Sequence, residues 1–440
     1  MQYIPLDIYT TITKFITEPR DAINISYTCK YLYTNRKSLI LNNYEKMSHI
    51  KNFRIINKYN FQYIDTSTII NKEDFFIKYP HVKYYKFNGP SEELLYIPEH
   101  MKKIIFDNKF NQAINMNLCH CFLNDRITCI ILGHSFNKEI LKLPKNLKKI
   151  VIGNGFNEHI IFSESIEEID IGHSFNRELY DLPKKLLILK LGNSYNKKFK
   201  NLPSGLQTLE LGYEFNQPLE NLPSSIKCLK LKYDFNQKLE NLPNSLTNLS
   251  LSELYNRPLN NLPSGLKYIK LGHSYNYPLE RIPDGLTHLI LGSSYNHSIN
   301  IPKKLEYLYI GRKYNNPLFD LPETLNTLII EKFSVFNKEI ILPKNIKTLV
   351  LNSQYNFNLG KIPDSIEKMV LGSYYIYPLN NVPKNLKYLS IGNNINEIIQ
   401  NLNSNDLEIL SRIKIYYFEN SIHRYQIKKV DLFYYVDIMD

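Results

Sequence analysis

Along most of the chain the apolar positions recur in one fixed order. The segment GLQTLELGYEFNQPLENLPSSIKCLKLKYDFNQKLENLPNSL, from Gly205 to Leu246, repeats itself almost word for word. Leu209, Leu211, Phe215, Asn216, Leu219 and Pro223 return as Leu229, Leu231, Phe235, Asn236, Leu239 and Pro243. An aromatic residue followed by Asn marks each unit from Phe110-Asn111 onward, and Ile395-Asn396 closes the series. Most gaps are 19 to 20 residues; six extra residues precede Phe136, two precede Phe336, and Tyr375-Ile376 fills one slot without its asparagine. A period of this length signals a stacked-repeat architecture of about fifteen units.

Within a unit, the alternation at Leu209, Glu210 and Leu211 has the period of two that marks a short half-buried strand, leucines inward. One such strand cannot bury its own face, so successive units must stack into a parallel sheet. Eighteen of the 22 prolines occupy two repeat slots, as in Pro203, Pro223 and Pro243 or Pro218 and Pro258. Proline at fixed places in so short a unit leaves room for a compact irregular arc and none for a long helix. Ten of the 16 glycines share one further slot, just after the strand. The aromatic residue of each unit is expected to pile on its equivalents as a spine, and the following Asn to bond backbone groups at the bend. Irregularity is expected where Ile161 to Ser165 replace a Leu-Pro and where Ile376 replaces Asn.

The unit resembles the FNIP repeat, a relative of the leucine-rich repeat, and LGYEFNQPLENLPSS from Leu211 to Ser225 carries the likeness. The resemblance implies a mainly β, leucine-rich-repeat-like solenoid with a parallel sheet over 97–399. Degenerate strand spacing at Val82, Tyr85 and Phe87 places a cap and linker over 46–96. The apolar but unruled tail, 400–440, is expected to cover the far end.

Ahead of the repeats, Ile8, Ile12, Phe15 and Ile16, then Ala22, Ile25, Cys29 and Leu32, have helical spacing, and Asp21 stands where a cap for the second helix belongs. The segment 1–45 therefore reads as a small helical bundle. It is similar to the F-box: Ile4-Pro5-Leu6-Asp7-Ile8 matches that motif's Leu-Pro opening, and Thr28-Cys29-Lys30-Tyr31-Leu32 its Cys-Lys stretch. The resemblance implies that Ile4, Pro5, Ile8, Ile12, Ile25, Cys29 and Leu32 grip a Skp-type adaptor of a cullin ubiquitin ligase. A plain helical cap is the alternative.

A formal charge of +12 raises the question of nucleic acid, but the lysines are dispersed and the chain is crowded with Ile, Asn, Lys and Tyr, a compositional bias. Nucleic-acid binding is not expected. The opening MQYIPLDIYT lacks the basic and apolar regions of a signal peptide, and no apolar run nears the roughly 18 residues of a membrane span. With five cysteines in no framework spacing, a reducing cytoplasmic setting is expected.

Cys119, His120, Cys121 and Cys129 form the one tight Cys/His group, and it lacks the paired spacing of a zinc site. His134, His173 and His273 share one slot without a recurring acid or nucleophile and read as solvent-facing. No phosphate-binding glycine loop or nucleophile elbow is present, so neither an enzyme nor a cofactor is expected. The expected function is that of a substrate-recognition adaptor, with a non-enzymatic interaction scaffold as the alternative. The outward strand slots run from Glu168, Asp170 and Glu210 to Lys230, Tyr268, Lys270, His288, Tyr307 and Tyr309. The last six form the expected contact patch for an acidic target protein.

Overall fold

The computed structural model describes residues 102–114, 126–392 and 395–413, and backbone alone for the strands Ile40–Leu41, Asn60–Phe61, Tyr63–Asp65, Tyr84–Phe87, Lys414–Phe418 and Ile427–Lys429. The expected helical bundle, with Ile4, Pro5, Ile8, Ile12, Ile25, Cys29 and Leu32, lies outside the described residues, as do Cys119, His120 and Cys121. The fold is a parallel β-solenoid with little helix, and it divides into two compact units, Met1–Gly212 and Tyr213–Asp440.

In the first unit the strands Lys103–Phe106, Cys129–Ile131, Lys149–Ile152, Glu168–Ile171, Ile188–Leu191 and Thr208–Leu211 pair in parallel, one per repeat. Tyr84–Phe87 and, ahead of it, Tyr63–Asp65 extend the same ladder, so the ladder starts one strand before the degenerate spacing at Tyr85 and Phe87. Register is strict: Leu209 lies opposite Leu189, and Glu210 opposite Lys190. Leu206, Leu209 and Leu211 are fully buried while Thr208 and Glu210 are half-buried, which is the alternation the sequence carries. Each inward leucine contributes about 2 kcal/mol through burial, available only because the next repeat covers it.

The second unit repeats this from Cys228–Leu231 through Asn248–Ser250, Tyr268–Lys270, His288–Ile290, Tyr307–Ile310, Thr327–Ile330, Thr348–Val350, Lys368–Val370 and Tyr388–Ile391. Parallel pairing then runs one strand beyond the last Asn marker, to Lys414–Phe418, against which Ile427–Lys429 lies antiparallel. Between them sit two short helices, α1 (Ile395–Ile399) and α2 (Ser404–Arg412). Asn403 caps α2 by accepting from the amides of Asn405 and Asp406. The buried Asp406 carboxylate accepts the Val382 N–H at 2.9 Å, tying α2 to the preceding repeat.

Three devices make the arcs identical. Each Pro-x-x-Leu closes a turn in which the proline carbonyl accepts the leucine N–H, as from Leu206 to Pro203 at 3.0 Å. Where Ser163 replaces the proline, Ile166 donates to Ser163 O at 3.1 Å, so the expected irregularity at Ile161 does not appear in this turn. The post-strand glycine permits close approach of neighbouring coils: a Cβ at Gly292 would sit 1.8 Å from the Gly272 carbonyl oxygen. Where Ser252 and Asn352 hold that slot, their buried side chains donate to the carbonyls of Phe235 and of Ser334 and Phe336.

The third device is the Phe/Tyr-Asn pair. In the first unit Phe110, Phe136, Phe156, Phe175 and Tyr195 stack with ring centroids 5.8–6.1 Å apart. In the second, the stack runs from Phe215 to Tyr375 at 6.0–6.4 Å. Beside each stack runs a ladder in which one asparagine's Oδ1 accepts the backbone N–H of the next: from Asn111 to Asn196 at 2.8–3.0 Å, and from Asn216 to Asn356 at 2.9–3.1 Å. The ring supplies apolar area and the asparagine oxygen accepts a backbone N–H of the next bend, so the pair is scaffold.

Candidate functional site

Because inward positions are spent on the core, only the outward strand slots and the arcs can vary without unfolding the repeat. Parallel pairing in register sets outward residues about 4.8 Å from their equivalents, so each slot becomes a column along the sheet. In the second unit the first column reads Cys228, Asn248, Tyr268, His288, Tyr307, Thr327, Thr348, Lys368 and Tyr388. The His288 ring lies 6.2 Å from Tyr268 and 5.6 Å from Tyr307, nearly parallel to the latter. The second column reads Lys230, Ser250, Lys270, Ile290, Tyr309, Ile329, Val350 and Val370.

The structure thus brings together all six expected contact residues. Tyr268, His288 and Tyr307 share one column; Lys230, Lys270 and Tyr309 share the other. Lys230 is exposed, whereas Tyr268, Lys270, His288, Tyr307 and Tyr309 are half-buried, each covered by its neighbours. Burial raises the Tyr307 and Tyr309 hydroxyls above the ordinary tyrosine value, with Glu331 adding to the effect at Tyr309. Lys270 faces Glu253 at 3.5 Å, so part of its charge is already answered.

Sequence reading missed Ile290, Ile329, Val350 and Val370, which share the column of the expected Tyr309. With Tyr309 they make five successive apolar residues in an outward slot that holds Lys230, Ser250 and Lys270 earlier in the second unit; in the first unit the slot passes from Ile131 and Val151 to Asp170, Lys190 and Glu210. The signal was present: after Lys270, the residue between the two inward aliphatics ceases to be charged.

The first unit's outward face differs. Glu168 pairs with Lys149 at 2.9 Å and lies 3.9 Å from Lys190, and burial raises the Asp170 carboxyl while Lys190 opposes the rise. Its acids are interleaved with lysines and present little net charge.

Among the described residues the candidate histidines and the Cys129 thiol are not brought together. His134, His173 and His273 are each exposed, in separate repeats. Burial raises the Cys129 thiol, which disfavours the nucleophilic thiolate. Among the described residues no group of three or more His, Cys, Asp or Glu side chains is placed to hold a metal ion, and no helix is long and apolar enough to cross a membrane.

The FNIP Repeat profile matches residues 175–214, 195–224, 215–254, 255–294, 280–313 and 336–374. Among solved structures, CroV588, a circular leucine-rich-repeat protein, is similar at 25% identity and a TM-score of 0.63. The likeness covers 78% of this chain but 59% of CroV588. YopM from Yersinia enterocolitica shows a looser likeness, with 16% identity, 84% of this chain and 99% of that one covered, and a TM-score of 0.37. No curated protein matches the chain. The chain thus carries repeats that match the FNIP Repeat profile, and its parallel ladder is similar to that of a circular leucine-rich-repeat protein.

Proposed function

We propose that the protein is a non-enzymatic scaffold that holds a partner protein on the outward strand face of its second unit. The observation that carries this reading is the pair of adjacent columns, one holding Tyr268, His288 and Tyr307 in succession and the other the apolar run from Ile290 to Val370. Their half-buried side chains are fixed by in-register pairing, so a partner meets aromatic contact area that costs little further entropy to order. Lys230 and Lys270 stand in the same column as the apolar run, just before it, and would steer an acidic edge of the target into register. The repeated slots hold scaffold residues throughout, which leaves binding, not chemistry, as the use of the surface. The test is capture by the Tyr268→Ala/Tyr307→Ala/Tyr309→Ala variant, with its melting temperature matched to the parent: loss of the co-purifying partner supports the reading, and full retention removes it.

A second element rests on sequence alone. The F-box-like Ile4-Pro5-Leu6-Asp7-Ile8 and Thr28-Cys29-Lys30-Tyr31-Leu32 favour an adaptor role, in which a Skp-type protein docks on 1–45 and the solenoid presents the target. Proximity would then supply the catalytic gain, because tethering raises effective concentration. Full-length protein should bind a Skp-type adaptor and lose it with Ile8→Asp/Ile12→Asp; no binding by the parent chain leaves the scaffold without a ubiquitin link.

A further inference from the structure

The arcs of the second unit form a shallow groove between successive repeats, and the molecule carries two versions of it. One spans Pro218 to Arg257, the other Pro317 to Phe357. They correspond over most of their lining: both open on Pro-Leu and run through a left-handed residue, Asn221 at φ 57° in the first and Asp320 at φ 52° in the second, while the second left-handed residue of the first groove, Asn241, has no counterpart. What differs is the chemistry. Glu220, Glu240 and Arg257 in the first become Phe319, Ile341 and Phe357 in the second.

The change is costly in water, because Phe319 is 72% exposed and Ile341 83%. Neither is needed by the fold, since charged residues serve the same slots at Glu220 and Glu240. Adjacent apolar side chains around a cleft of about 580 Å³ are what a docking site requires, and surface scaffolding does not. The rim changes with the floor. Glu220 and Glu240 share the polar groove's lining with Lys238 and Arg257, whereas Asp320, Glu323 and Glu339 share the apolar groove's lining with Lys338 alone, Glu323 also accepting the Lys344 backbone N–H at 2.9 Å.

We infer that the groove bounded by Phe319, Ile341 and Phe357 is a second docking site, separate from the strand face, for a partner segment with apolar anchors flanked by Lys or Arg. The anchors cover the two phenylalanines and the isoleucine; the flanking cations meet the acidic rim.

The test uses full-length protein and a displayed library of random peptides, with the variant Phe319→Glu/Ile341→Glu/Phe357→Arg as counter-target. Those residues already occupy the equivalent slots at 220, 240 and 257, so the variant has a native precedent for folding. Phe319→Asn, which copies Asn260, is the milder second variant. The expected result is recovery of peptides pairing apolar anchors with Lys or Arg, bound at least about tenfold more weakly by the triple variant and measurably more weakly by Phe319→Asn. Peptides without basic flanks, peptides that bind the triple variant equally, or no peptides above the variant's background would overturn it. So would self-association of the parent that the triple variant abolishes, which would make a second copy the occupant. The strand-face variant at Tyr268, Tyr307 and Tyr309 should leave peptide recovery unchanged, so failure here and failure of the scaffold reading are read separately.

Discussion

Asn356 donates its backbone N–H to Asn337 Oδ1 at 2.9 Å, and the asparagine ladder ends there. Ile376 holds the next slot, and the buried Asn356 Oδ1 has no hydrogen-bond partner. The aromatic stack nevertheless continues through Tyr375, 6.4 Å from Tyr355, so the two halves of the repeated pair part company at this point. Asn236 is different, because its Oδ1 receives the Asn256 N–H at 3.0 Å. Asn236→Ala should therefore cost about 1 kcal/mol, and Asn356→Ala markedly less. Denaturant midpoints of the two variants check this; equal losses would mean that the ladder bond is not what the asparagine supplies.

Glycine at the post-strand slot is a steric requirement. Gly292→Ala places a methyl 1.8 Å from a backbone oxygen that cannot step aside, and should cost about 3 kcal/mol by thermal melting. Gly205 is the control: its nearest contact is 4.0 Å away, and Gly205→Ala should be tolerated.

Tyr275 is fully buried, and its hydroxyl lies beside the Leu259 backbone without completing a hydrogen bond. Tyr275→Phe should leave stability within about 1 kcal/mol, since it removes an unsatisfied polar atom. Tyr275→Ala opens a hole in the stack and should cost roughly 3–5 kcal/mol. Chemical denaturation of the pair separates the ring's contribution from the hydroxyl's.

The same buried phenols set an alkaline limit. Burial pushes Tyr255 and Tyr295 up to about 12, with the Leu239 and Leu279 backbones pulling slightly the other way. An unfolded tyrosine ionises near pH 10. Between those values the unfolded chain loses protons that the folded one keeps. Stability from these groups is thus complete below about pH 10 and falls as pH rises toward 12. Melting temperature should decline over that window, and Tyr255→Phe/Tyr295→Phe should flatten the decline.

Much of the solenoid could be read from the sequence because leucine, proline and the Phe/Tyr-Asn pair each answer one local physical demand, and those demands recur with the period. Leu209 and Leu211 announce a strand; Pro203 announces a turn. The reason for Gly292 could not be read so directly, since the atom it avoids belongs to the preceding coil. Ser163 shows the converse: its turn closes on a main-chain carbonyl, so the proline was replaceable where the pattern suggested disruption. The proposed contact face was half legible. Tyr268, His288 and Tyr307 stood out by chemistry, but Ile290, Ile329 and Val350 look like core residues until pairing assigns them a face.

The scaffold account turns on which face meets the partner, and site-specific photo-crosslinking reads that face directly. A photoreactive residue at Thr327, between Tyr307 and Thr348 in the first outward column, and another at Glu220, in the polar groove of the arcs, probe the two surfaces with the fold intact. The account predicts partner adducts from position 327 and none from position 220. Adducts from position 220 with none from position 327 would contradict it.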